Sequence, residues 1–430
     1  MELQISTEGG VAMSDSVANP SRIFVHRFAF AAYDHIWKKL FCAKTGLFYD
    51  RISPDDDHFS HLPSVEEIAR QFPNPCGWGT GMEDCSINAG HTLEVLSLMH
   101  ELGREDVAAE IGEVLRGLRL CEAIHGKNGF LVRGVSHRDG KSCYFNSSRD
   151  QITMAVAGLF DVGKNVPTLS DSQEELIKVM LAEMARYCKK TVTRENGYNY
   201  LRLDGGRALV SELWDCGVHE MLRLPMVYAA CAEINSDMEF RDEALSYMEE
   251  GMRVSEMFNE TIYWWDFPLI QMQLSLDILR KCPFTESYHA RIERLMDKVG
   301  VAAHRQFLHV LTQCEQYEGD WNVYNKNWRT LPMRTTAATL QDSPCNAVYD
   351  GYTYLNPVYP EEFMRIVEYE RSLGNYLAGA MLAPHCHVEA PQWNRFIAFM
   401  EKQDFSQCTH AGPFSVLHGY LLGVKRLQDI

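Results

Sequence analysis

Two short segments combine carboxylates with groups able to hold a ligand. In the first, Cys76-Gly-Trp-Gly-Thr-Gly-Met-Glu-Asp-Cys-Ser-Ile-Asn-Ala-Gly90, three glycines in five positions let the backbone approach a ligand closely. Trp78 offers a stacking face, and Glu83 and Asp84 stand just before a helical pattern begins. A carboxylate there can act as acid or base. Helix capping by Asp84 or Ser86 is the competing role, and it leaves the Gly/Trp loop unexplained. In the second segment, His137-Arg138-Asp139-Gly140 leads to Tyr144-Phe-Asn-Ser-Ser-Arg-Asp-Gln151, with Arg149 and Asp150 in the first turn of an apolar helix. Arg149 is suited to binding an anion and Asp150 to transferring a proton. A helix dipole stabilises any first-turn Asp by about 0.3–1 kcal/mol, so the weight falls on the pairing of two such sites. Paired carboxylates divide acid and base work in glycoside chemistry.

Other residue types fit a sugar-sized ligand. Trp214, Trp321, Trp328 and Tyr352 stand in polar loops, where aromatic faces stack on the C–H faces of sugar rings. Trp264 and Trp265, at the start of a helix, suit core and ligand equally. Arg133, Arg138, Arg149, Arg194, Arg202 and Arg207 cluster in or beside two long loops, and guanidinium forks match carboxylates. His385-Cys-His387, with Glu389, contains metal-ligand types but lacks a companion cluster, so no metal is expected. His385 and His387 instead read as substrate contacts, and with His219 they are the candidate bases for proton abstraction. Cys76 and Cys85 have no evident His partner. The 13 cysteines include no C-x-x-C and read as buried reduced thiols.

The elements that must position these groups are helical. Apolar residues recur with helical spacing over about twelve segments: 21–42, 88–102, 105–124, 149–162, 174–190, 218–235, 240–259, 267–281, 286–310, 361–383, 392–402 and 411–427. Ser148, Ser172 and Pro360 precede three of them as expected helix starts. Short links alternate with long ones at 71–86, 126–147, 191–216, 312–359 and 384–391, which predicts that all five long loops share one face. No internal repeat of 20–50 residues and no Pro/Gly/Ser-rich linker divides the chain. The expectation is an all-α (α/α)6 toroid. Residues 1–20 would form a flexible N-terminal segment and 21–430 a single catalytic barrel.

Composition narrows the function classes. Lys and Arg number 41 against 58 Asp and Glu, a net charge of −17 without a dense basic block, which disfavours nucleic acid as a partner. No window approaches 18 uninterrupted apolar residues, so no membrane is expected either, and the polar N-terminus reads as cytoplasmic, a trimmed leader aside.

The pattern of an Asp opening one helix and a second Asp followed by Gln-Ile-Thr-Met-Ala-Val-Ala-Gly-Leu resembles the six-hairpin glycosidases. Among them it is most similar to the unsaturated uronyl hydrolases of the rhamnogalacturonyl and glucuronyl types. The resemblance implies that Asp150 is the general acid/base that protonates a C4=C5 double bond and activates water, with Asp84 as its partner. It departs from that family in the third long loop, which reads Asp204-Gly-Gly-Arg-Ala-Leu-Val-Ser-Glu-Leu-Trp-Asp215. The expected activity is hydrolysis of a glycosidic bond in a small uronate-containing oligosaccharide, without a cofactor. Trp78, Glu83, His137, Arg138, Arg149, Trp214, Trp321, Trp328, Tyr352, His385 and His387 would surround the sugar. A sugar epimerase or polysaccharide lyase using a His or Tyr base, and a non-enzymatic binding toroid, are the alternatives.

Overall fold

The computed structural model describes residues 23–53, 56, 58–323, 327–335 and 355–428. Tyr352 and the N-terminal segment 1–20 lie outside the described residues. Among the described residues there are thirteen α-helices: α1 (Arg27–His35), α2 (Val65–Ala69), α3 (Cys85–Glu101), α4 (Ala108–Ala123), α5 (Arg149–Asn165), α6 (Asp171–Thr191), α7 (Arg223–Asn235), α8 (Met238–Ser255), α9 (Asp266–Lys281), α10 (His289–Gln316), α11 (Glu361–Leu382), α12 (Ala390–Met400) and α13 (Gly412–Gln428). The chain is all-α in class, and each of the twelve predicted segments overlaps one of these helices, with ends that differ by up to several residues. The extra helix, α2, is closed by a capping box in which Ser64 and Glu67 bond each other's backbone N–H. The predicted start of α6 moves: Ser170, not Ser172, caps it, because the Gln173 side chain reaches back to Ser170.

The helices are of two kinds. In α3 every residue from Cys85 to Met99 is buried, as expected of a helix surrounded by protein. Helix α10 instead buries a stripe, including Ile292, Leu295, Met296, Val299, Ala303, Phe307 and Val310, and leaves its other face to solvent. The buried kind pack in succession, α3 on α5, α5 on α7, α7 on α9, α9 on α11, α11 on α13, and α13 back on α3.

Glycine sets a close crossing of α3 and α5. A Cβ on Gly90 would lie 2.3 Å from the Met154 carbonyl oxygen, and one on Gly158 would lie 2.5 Å from the Gly90 oxygen, so α3 and α5 touch backbone to backbone. That contact draws together the ends of the two helices, where Asp84 and Asp150 stand.

The loops sort by end. Segments 70–84, 124–148, 192–222 and 317–360 run into the starts of α3, α5, α7 and α11, whereas 102–107, 166–170, 236–237 and 383–389 leave the ends of α3, α5, α7 and α11. The predicted fifth long loop, 384–391, therefore belongs to the opposite end and does not share a face with the others. Three antiparallel ribbons, β1 (Phe41–Cys42) with β2 (Leu47–Phe48), β3 (Asn199–Leu201) with β4 (Arg207–Glu212) and β5 (Met333–Thr335) with β6 (Leu355–Pro357), stiffen the connections.

Candidate functional site

The Gly/Trp loop is built around Glu83. Its carboxylate accepts the Gly79 N–H at 2.9 Å, the Gly81 N–H at 2.7 Å and Arg51 Nε at 2.9 Å. Gly81 adopts φ +89°, and a side chain there would collide with the Asp50 carbonyl, so glycine is required. Glu83, expected to touch substrate, is buried and spent on this loop. Trp78 is held through its backbone by Asn74, and the Arg133 guanidinium lies 5.6 Å from its ring centre. Beneath the loop, burial pushes the Asp50 carboxyl up to about 7, the Arg51 charge opposing it.

Asp84 is the N-cap of α3, yet its side chain makes no capping bond. Its Oδ1 accepts from Gln151 Nε2 at 2.8 Å and from Arg133 Nη1 at 3.2 Å. The same two donors hold the Glu83 carbonyl at 3.1 and 3.0 Å. Burial holds the Asp84 carboxyl above its ordinary range, opposed by Arg133 and reinforced by Glu83. Asp150, beside Gln151 in the first turn of α5, accepts Arg223 Nη1 at 2.7 Å. Burial alone would raise its carboxyl, but the Arg223 and Arg149 charges outweigh burial and hold it below the ordinary range. Though enclosed by protein mass, the two side chains keep 34% and 31% of their surface open.

Residues remote in sequence complete this end. Arg149 pairs with Glu220 and donates to the Glu212 carbonyl. His219 lies 3.0 Å from Glu220 and packs on Trp264, with its imidazole driven down to about 3 by burial and by Arg223 and Arg149. Asp266 opens α9 as Asp84 opens α3, but only 1% of its side chain is open, and Arg371 at 2.8 and 3.1 Å and Asn375 at 2.9 Å consume its oxygens. Beside it, Tyr263 and Trp265 are exposed aromatics. Arg223, Asp266 and Arg371 carry no local motif. They were findable only as charged residues within apolar helical runs.

Several expected contacts lie elsewhere. Trp328 is fully buried: its Nε1 donates to the His61 carbonyl at 2.8 Å, and Arg329 stacks on its ring. It anchors a small core with Leu331, Tyr359, Phe363 and Val367 and is no ligand surface. Trp321 packs among Tyr317, Tyr369 and Phe399, and Trp214 packs edge-on against Tyr247 of α8. His137 sits between Tyr49 and Phe59, and exposed Arg138 bonds the Ser60 carbonyl. His385 pairs with Asp297 of α10 at 2.8 Å, and His387 borders a small recess with Trp393 and Arg426, at the end opposite Asp84. The twelve described cysteines are unpaired. Burial pushes the Cys76 thiol up to about 11 and the Cys85 thiol higher, which disfavours the thiolate at both.

Two groups of possible metal donors occur among the described residues, His91/Glu94/His418 and Glu370/Cys408/His410, each with its donor atoms within 4.8 Å of one another. The second borders a small recess lined also by Trp321 and Gln407.

No protein-family model matches the chain, and no curated protein does.

Proposed function

We propose that the chain is a carbohydrate-active hydrolase, a single (α/α)6 toroid that cleaves a glycosidic bond in a small uronate-bearing oligosaccharide. The alternation of enclosed and striped helices, and the succession from α3 through α13 back to α3, support the toroid. One observation carries the catalytic reading: neighbouring inner helices open on two partly exposed carboxylates whose surroundings push their protonation in opposite directions. Such divergence marks an acid and its ionised partner.

Asp84, which retains its proton more readily, acts as the general acid toward the sugar. Asp150, kept ionised by Arg223 and Arg149, orients water and stabilises positive charge building on the ring. These roles reverse the expectation that Asp150 is the acid. Arg149 and Arg371, both partly open, face the substrate's carboxylate, and Tyr263 and Trp265 provide a stacking rim.

His219 supports the second reading, an epimerase or lyase, since it stands neutral among the Asp150 partners. An imidazole so hard to protonate is a weak base at neutral pH, which favours the hydrolase. Product analysis with saturated and 4,5-unsaturated uronate oligosaccharides separates the readings. Hydrolysis yields a new reducing end. A new ultraviolet-absorbing double bond would indicate a lyase, an isomer of unchanged mass an epimerase, and absence of both binding and turnover would remove the proposal.

A further inference from the structure

We propose that His91, Glu94 and His418 form a buried site for one divalent transition-metal ion that ties α3 to α13. His91 and Glu94, three residues apart, lie on one side of α3, about two turns or ~10 Å below Asp84. His418 meets them from α13. Nδ1 of each histidine lies 3.6 Å from Glu94 Oε2, and the rings are 5.8 Å apart at 68°. A separation of 3.6 Å is too long for a hydrogen bond. It is close to the ~3.4 Å between two ligands of a tetrahedral ion with metal–donor bonds of about 2.1 Å.

The unmet bonding is the second observation. All three side chains are at least 97% buried, yet both His91 ring nitrogens, both Glu94 oxygens and His418 Nδ1 make no hydrogen bond to the described residues. Burying so many unmatched polar atoms together is costly, and an ion would satisfy three of them at once. The Glu370/Cys408/His410 group differs, because Cys408 already bonds the His410 carbonyl and His410 Nδ1 already accepts the Gly412 N–H. Two imidazoles and a carboxylate are the donor set of zinc and of iron(II). Because α13 is the last enclosed helix and α3 the first, the ion would act as a staple across the closure of the succession. The site stands whether or not Asp84 and Asp150 cleave a sugar.

The test uses the full chain, stripped with a chelator and titrated with Zn2+ or Co2+. About one equivalent should bind, with visible Co2+ absorption of nitrogen and oxygen ligands and a higher Tm than the stripped protein. Glu94→Gln and His418→Asn should lose that equivalent, while Asp84→Asn keeps it. Failure of the folded, stripped wild type to bind Zn2+, Co2+ or Fe2+ would overturn the site. So would undiminished binding by folded Glu94→Gln, or a thiolate-to-cobalt charge-transfer band, which would locate the ion at Cys408. If the variants do not fold, the wild-type stoichiometry and spectrum decide.

Discussion

Gln151 donates its side-chain amide to Asp84 at 2.8 Å from the position directly after Asp150. One residue therefore ties the two carboxylates together, and it does so by favouring the ionised form of Asp84. Replacing Gln151 by Leu removes that donor and raises the Asp84 carboxyl further. An acid that must be protonated loses activity as pH rises through its pKa. The basic limb of kcat/KM should move to higher pH in the variant, and an unmoved limb would exclude Asp84 as the acid.

Arg223 acts on the other carboxylate. Arg223→Met should allow the Asp150 carboxyl to rise, so the acid limb of the profile shifts upward in pH. Breaking a fully buried pair costs about 3–5 kcal/mol; with a third of Asp150 open, a loss on the order of 2–3 kcal/mol is expected in urea unfolding.

The crossing of α3 and α5 positions both groups. Gly90→Ala inserts a methyl against the Met154 carbonyl, where the backbone leaves no room. A stability loss of about 1–3 kcal/mol should accompany reduced turnover, because the shift separates the two helix ends. A Tm equal to wild type would show that this crossing is looser than described.

How much of this was legible in the sequence follows from what each signal measures. Helical periodicity reports which residues face protein, and it located the twelve segments. The starts at Asp84 and Asp150 were legible because Gly-rich and polar runs end there. The partners were not, because Arg223 reaches Asp150, and Arg371 reaches Asp266, only through helix succession, which no local spacing encodes. Trp328 misled because it stands in a polar run without helical period, whereas the neighbouring Arg329 turns inward to bond the His61 and Leu62 carbonyls and seals the indole below it. His385 and His387 misled for a topological reason: their loop leaves an enclosed helix instead of entering one. His91-Thr-Leu-Glu94 was a visible pair within an apolar helix, but its companion His418 stands on the last helix of the chain.

Asp50 predicts a pH-dependent stability difference. Its carboxyl is held at about 7 against an unfolded value near 4, so the native state binds the extra proton and the contribution falls as pH rises from ~4 to ~7. The wild type should therefore lose up to about 4 kcal/mol from this group across that window. Asp50→Asn removes the titration. Relative to wild type, the variant should gain stability between pH 5 and pH 8 in urea unfolding, and an unchanged difference would mean that Asp50 titrates normally.

The central claim is that Asp84 and Asp150 share one hydrolytic reaction, and turnover of a uronate-bearing oligosaccharide by wild type, Asp84→Asn and Asp150→Asn tests it most directly. Wild type should release a new reducing end, and each variant should lose roughly 10²–10⁴-fold in kcat while keeping its fold and its Tm within a few degrees. Full activity in either folded variant would contradict the account.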